Sequence, residues 1–347
     1  MQYIIPKFYN LPEFIQHSSA EEIENESNEW VRGLLSKVLP DERQIQLFLE
    51  CRHALWAGMV YPHISADKLR NACDAVQYLF LMDDLISYRN DLRSTENKSA
   101  KIINQLKEII LGRESDPDFV FGPPLNDLYR RMRATFTPAQ QNRADSALLV
   151  ILDGFFDEVC LRATGQMIDF DTYYLAHQKT CGLNWCFLLC ESGIGVDLSD
   201  LIHTYPALGR LHQGLTDRMN FGNAIFGLPR DMVKHDIMNP VIVFVEHHGL
   251  SLQNAIDKVY NLALEGEKMF NDAIQEIIEG EYRHRTDLLA YLTNLKYFMA
   301  GDAKWEEMTP RYKGTGYSWG ESNTFSVSID TSKENLQILD KLFYQVE

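Results

Sequence analysis

Apolar residues recur three and four positions apart through residues 67–92, 143–165, 205–226, 252–280 and 284–300, with charged residues between them. That period predicts amphipathic helices, each turning one face to a core. No comparable stretch alternates apolar and polar residues, so no run of strands is expected. Breakers fall at 93–99, in the acidic, proline-containing segment 114–124, at 194–198, at 238–240 and in the Gly-rich stretch 312–323. Each reads as a loop between helices. With no internal repeat and no low-complexity linker, the economical reading is an all-α chain forming one helical domain over 1–347. Residues 313–347 stand apart as a C-terminal lid or docked tail. They contain Gly314, Gly316 and Gly320, a short Thr-Phe-Ser-Val-Ser patch and the amphipathic segment 333–346.

Composition narrows the function classes. Hydrophobic residues make up 45% and aromatic residues 11% of the 347, enough for a large core or an apolar cavity. A formal net charge of -16 argues against nucleic acid, whose phosphates need clustered Lys and Arg. It does not exclude a small anionic substrate, because divalent cations can bridge carboxylates to phosphate oxygens. The six cysteines, Cys51, Cys73, Cys160, Cys181, Cys186 and Cys190, form no CxxC pair and fit a reducing, cytoplasmic setting. No run is apolar enough for a membrane span and the first residues lack a signal-peptide pattern, so a soluble, unprocessed protein is expected.

Three constellations can carry chemistry. In Phe80-Leu81-Met82-Asp83-Asp84-Leu85-Ile86-Ser87 two adjacent acids interrupt an apolar helix. Such a pair needs compensation, either by solvent at a helix end or by a divalent cation. In the segment from Asn223 through Gly227 to Arg230 and Asp231, positions 223, 227 and 231 fall on one helical face. An amide oxygen and a carboxylate so spaced suit a magnesium ion, although a polar turn at Gly227-Leu228-Pro229 explains the spacing equally. Pro229 is expected to kink the helix and free the Ile225 carbonyl. Finally, Arg311-Tyr312 follows the last long helix, where a guanidinium fork and a phenol can bind phosphate or simply pack.

Taken in order, these segments resemble the class I terpene cyclase family, whose marks are an Asp-rich motif, an Asn/Ser/Glu magnesium triad and a C-terminal Arg-Tyr pair. Tyr61-Pro62, Leu69-Arg70, Asp74 and Phe80 resemble the family's run into its Asp-rich motif, and Asn239 through Gly249, Leu250 and Ser251 resembles the segment after the triad. The resemblance covers roughly residues 50–312. It implies a class I terpenoid synthase helical bundle around a central apolar cavity. It further implies Asp83, Asp84, Asn223 and Asp231 as ligands of up to three Mg2+ ions, with Arg230, Arg311 and Tyr312 on the substrate diphosphate. His177 stands where the family's diphosphate sensor Arg is expected, with Lys179 nearby as a compensating cation, and Cys181-Gly182 corresponds to the family's ionisation kink. Trp56, Phe80, Phe187, Phe221 and Phe298 are the aromatic candidates for the cavity wall, where ring faces stabilise a carbocation without trapping it.

The chain departs from the pattern at five places. Ser87 replaces the last acid of the Asp-rich motif, Gly227 the triad hydroxyl, Asp231 its Glu, Arg230 the Lys before it, and His177 the sensor Arg. Such degeneracy resembles divergent fungal cyclases that convert farnesyl diphosphate to humulene-type sesquiterpenes for meroterpenoid pathways. That implies a lyase of secondary metabolism with a prenyl diphosphate as its partner, and a homodimer is common in such folds. No residue in the sequence identifies the final base. An acyclic alcohol synthase of the same fold and a catalytically inactive helical scaffold are the alternatives.

Overall fold

The structure, a computed structural model, describes residues 2–8, 12–39, 41–87, 92–113, 116, 118–234, 236–312, 317–319 and 325–329. Its helices are α1 (Ala20–Val38), α2 (Glu42–Glu50), α3 (His53–Val60), α4 (Ala66–Ser87), α5 (Leu92–Ile110), α6 (Gly122–Arg133) and α7 (Pro138–Ala163). They continue with α8 (Phe170–Thr180), α9 (Leu183–Gly193), α10 (Pro206–Lys234), α11 (Pro240–His248), α12 (Leu252–Glu279) and α13 (Thr286–Met308). A 3-10 turn, Pro310–Tyr312, follows α13. None of the described helices is long and apolar enough to cross a membrane.

Local chemistry sets several boundaries. The Thr137 hydroxyl accepts the Gln140 amide N–H while the Gln140 side chain accepts that of Thr137, a reciprocal cap that starts α7 with Pro138 in its first turn. Asp169, Asn239 and Ser251 cap α8, α11 and α12 in the same one-sided way. Gly182 adopts φ 66° between α8 and α9, in the left-handed region that favours glycine. The predicted Cys181-Gly182 break is therefore present. The loop expected at 93–99 is not, because α5 already begins at Leu92. That stretch is polar but contains neither Gly nor Pro, so nothing in it stops a helix.

The core centres on α10. Leu211, Leu215, Ile225 and Leu228 on this helix are all fully buried, each contributing roughly 1.5–3 kcal/mol of apolar burial. Helix α12 lies directly against it at Gly214, where an added Cβ would stand 2.5 Å from the Phe270 amide nitrogen. The kink expected at Pro229 does not interrupt α10, which runs to Lys234 with Pro229 inside it. Burial of the surrounding face outweighs the single amide bond that proline cannot make.

One feature contradicts the expectation that strands are absent. The N-terminal strand β1 (Gln2–Ile5) pairs antiparallel with β3 (Phe325–Ile329), which also pairs with β2 (Tyr317–Trp319), giving the order β1-β3-β2. Each strand is only three to five residues long, too short for alternation to stand out in the sequence. Part of the lid or tail segment is thus joined to the start of the chain. The amphipathic stretch 333–346 lies outside the described residues, as does the side chain of Ser87.

Candidate active site

Helices α3, α4, α7, α8, α9, α10 and α13 surround a cavity of about 210 Å³. Its wall includes Trp56, Phe80, Asp83, Phe155, Tyr173, His177, Asn223, Gly227, Asp231, Trp305 and Tyr312. The three sequence constellations, separated by up to 229 residues, meet at this one space.

At the end of α4 the two acids divide their roles. Asp84 is gripped from two sides. Arg311 donates to both of its oxygens at 2.9 and 2.8 Å, and Arg230 donates to one of them at 2.7 Å. Burial alone would raise the Asp84 carboxyl, but the Arg311 and Arg230 charges outweigh it and hold the group well below the usual carboxylate range. Asp83 lines the cavity and lies 3.6 Å from the Arg311 guanidinium. Desolvation, and then the Asp84 charge beside it, push its carboxyl up to about 6. Arg311 also sits 4.9 Å above the Phe80 ring and donates to His53 Nε2 at 3.3 Å. His53 stacks on the same ring at 4.3 Å, and burial followed by the Arg311 charge keeps it neutral by holding its imidazole well below the usual range. Lys234, at the end of α10, adds a further cation that burial and Arg230 shift downward.

On α10, Asn223 gives its amide N–H to the Tyr312 hydroxyl at 2.6 Å, leaving its carbonyl oxygen for another partner. Asp231 accepts the Asn239 amide at 2.8 Å, and Asn239 also donates to the Ala224 carbonyl while capping α11. The eight-residue interval from Asp231 to Asn239 is therefore a direct contact. A Cβ on Gly227 would stand 3.6 Å from both Asp231 Oδ2 and the Tyr312 ring, ordinary contact distances. The triad positions thus share one cavity-facing side.

Among the described residues no three acids, histidines or cysteines converge into a closed metal site. The donors present are carboxylates and an amide oxygen, facing open space beside two arginines. This set suits a hard cation that completes its coordination with water and substrate oxygens.

Also lining the cavity, Glu158 of α7 accepts from Arg162 at 2.9 Å and from Thr180 at 2.6 Å, with His177 Nδ1 3.6 Å away. Arg162 also makes two bonds of 3.0 Å to Asp236. His177 thus reaches the cavity, and Arg162 supplies a guanidinium on the same wall that the sequence reading missed. Lys179 does not join them. It turns to the surface and pairs with Asp157 at 2.6 Å.

Of the five aromatic candidates, Trp56 and Phe80 line the cavity. Phe298 stands behind Trp56, edge-on at 5.4 Å, and Phe187 packs behind Phe298 at 5.7 Å. Phe221 faces away and stacks with Phe170 and Tyr174. These three are core residues, because helical rotation turns them from the cavity. Phe155, Tyr173 and Trp305 take their place; Trp305 opens the segment that ends in Arg311-Tyr312, while no motif marked the other two.

Comparison with known proteins gives the family and the fold. The profile of terpene synthase family 2, C-terminal metal binding, matches residues 74–268. Alpha-muurolene synthase of Coprinopsis cinerea is 23% identical over 340 residues, covering 89% of this chain and 75% of that protein. The solved structure of linalool/nerolidol synthase from Streptomyces clavuligerus superposes with a TM-score of 0.75 at 19% identity, covering 87% and 99% of the two chains. Hedycaryol synthase gives a TM-score of 0.76 at 20% identity, covering 88% and 99%. At those identities the structures carry the fold, while the profile spans more than half the chain and takes in Asp83, Asn223 and Asp231. The chain belongs to terpene synthase family 2 and is a class I terpene cyclase.

Proposed function

We propose that this enzyme ionises farnesyl diphosphate and closes the resulting cation to a sesquiterpene hydrocarbon, with a humulene-type skeleton favoured. One observation carries the reading. Asp83, Asn223, Asp231, Arg230, Arg311 and Tyr312 converge on an aromatic-lined cavity, which supports a role for them in holding a diphosphate and its cations beside a space suited to a hydrocarbon chain. The sesquiterpene products named for several relatives support the C15 substrate.

In this reading Asp83, the Asn223 carbonyl oxygen and Asp231 hold magnesium, up to three ions in all. Magnesium, when bound, supplies the positive charge that makes diphosphate a good leaving group. Arg311 and Arg230 exchange part of their grip on Asp84 for diphosphate oxygens, and Tyr312 adds a hydroxyl donor. The rings of Trp56, Phe80 and Trp305 in the wall stabilise the allylic cation, and the apolar part of the lining limits the water that could capture it. His177 and Arg162 line the same cavity.

The test is incubation with farnesyl diphosphate and magnesium, with chelator and Asp83→Ala controls and gas chromatography-mass spectrometry of the organic extract. A metal-dependent cyclic hydrocarbon supports the reading. Linear alcohol alone supports water capture, and no turnover of C10, C15 or C20 diphosphates supports an inactive scaffold.

A further inference from the structure

Four carboxylates line the cavity, namely Asp83, Glu158, Asp231 and Asp302. The first and third belong to the proposed cation site, and Glu158 is occupied by Arg162 and Thr180. Asp302 has no part in either arrangement. It is only 6% exposed, and a carboxylate so buried needs a hydrogen-bond or charge partner to stay in the wall.

Its placement is specified by the fold. Helix α13 touches the backbone of α3 at Gly301, where any Cβ would fall 2.2 Å from the Met59 carbonyl oxygen. That approach sets Asp302 against Trp56, whose indole N–H donates to Oδ1 at 2.9 Å. Trp56 itself lines the cavity, backed edge-on by Phe298. The nearby charges are the buried Glu306, one turn further along α13, and Arg218, held by Glu267 and stacked on Phe8 at 3.6 Å. On α10 Arg218 precedes Asn223 by five residues, roughly 8 Å of helix rise. Asp302 therefore addresses a part of the cavity set apart from the diphosphate groups. Burial pushes its carboxyl up to about 6, against the opposing pull of the Trp56 donor and Arg218. A carboxylate raised in this way is more basic than an ordinary aspartate, as proton transfer in an apolar site requires.

Resting on the cyclase reading, we propose that Asp302 is the proton acceptor that ends the carbocation reaction. Oδ1 is fixed by Trp56, and Oδ2 takes a proton from the carbon next to the cationic centre. The C–H electron pair becomes the new C=C bond, so the cation leaves as a neutral hydrocarbon. Asp302 becomes a neutral acid and returns the proton to water after product release.

The experiment compares wild type, Asp302→Asn and Asp302→Glu with farnesyl diphosphate and magnesium, measuring released diphosphate and hydrocarbon products in the same samples. Asparagine keeps an oxygen for the Trp56 N–H but cannot accept the proton. The expected result is diphosphate release within about 3-fold of wild type, with the parent hydrocarbon reduced at least about 10-fold relative to diphosphate. Alcohols or double-bond isomers replace it, and Asp302→Glu restores part of the parent product. An unchanged hydrocarbon ratio in Asp302→Asn overturns the proposal, and so does loss of diphosphate release in both variants, which marks a structural role. A wild type that releases no diphosphate overturns the cyclase reading itself.

Discussion

Arg311 holds Asp84 through two hydrogen bonds of 2.9 and 2.8 Å, joining the turn after α13 to the end of α4 across 227 residues of sequence. The bidentate contact uses both donors of the guanidinium edge, and Arg230 completes it from α10. In this state Asp84 is a counterion that parks two arginines beside the cavity, while Asp83 faces the space they border.

The two neighbouring acids are therefore expected to respond differently to the same substitution. Asp84→Asn loosens both arginines and lowers kcat/KM by about 10–100-fold, as for other groups that orient a metal or anion site. Asp83→Asn removes a proposed cation ligand and is expected to lower it further, with the half-saturating magnesium concentration raised. Steady-state kinetics across a magnesium series distinguishes the two. Equal losses in both variants would contradict this division.

Gly227 offers the reverse experiment. A Cβ there meets only ordinary contacts at 3.6 Å, so Gly227→Ser fits without displacing Asp231 or Tyr312. Serine in a helix interior is favoured over glycine by about 0.5 kcal/mol, and its hydroxyl adds a cation ligand between Asn223 and Asp231. The expected outcome is an unchanged or slightly higher Tm together with a lower half-saturating magnesium concentration.

Gly301→Ala tests the contact between α13 and α3. The added methyl group meets the Met59 carbonyl, and overpacking of this kind costs about 1–3 kcal/mol. A lowered Tm is expected, with the Trp56–Asp302 hydrogen bond disturbed. Thermal unfolding followed by circular dichroism, with Trp fluorescence as the local probe, reads both.

Acid stability has a specific contributor in His212, whose Nε2 lies 2.7 Å from the Tyr291 hydroxyl. Burial, followed by the Arg143 charge, pushes its imidazole from 6.5 down to about 3. The unfolded chain therefore takes up this proton first. The stabilisation is complete above about pH 6.5 and is lost as pH falls toward 3. Between pH 6.5 and 5 the loss from this group is about 2 kcal/mol. Denaturant midpoints measured at both pH values should fall less for His212→Gln than for wild type by that amount.

Much of the site was legible in the sequence because its motifs are short, ordered and carried on helices whose period brings positions 223, 227 and 231 to one face. The Asp231–Asn239 register was readable for the same reason, and the structure supplies the hydrogen bond behind it. What escaped was set by helix rotation and long-range packing. Spacing alone cannot say that Phe298 stands behind Trp56 while Trp305 reaches the cavity. His53, Arg162 and Asp302 come from helices without a motif, and Lys179 differs from His177 only by the side of α8 on which it falls. Pro229, where a kink was expected, lies inside a helix that continues to Lys234 among buried neighbours.

The most direct measurement of the central claim is inorganic diphosphate released from farnesyl diphosphate by wild type, Asp83→Ala and Arg311→Ala, with and without magnesium. The account predicts magnesium-dependent release by wild type and a loss of at least about 100-fold in both variants. Wild-type release that survives chelation, or variants that match wild type, would contradict it.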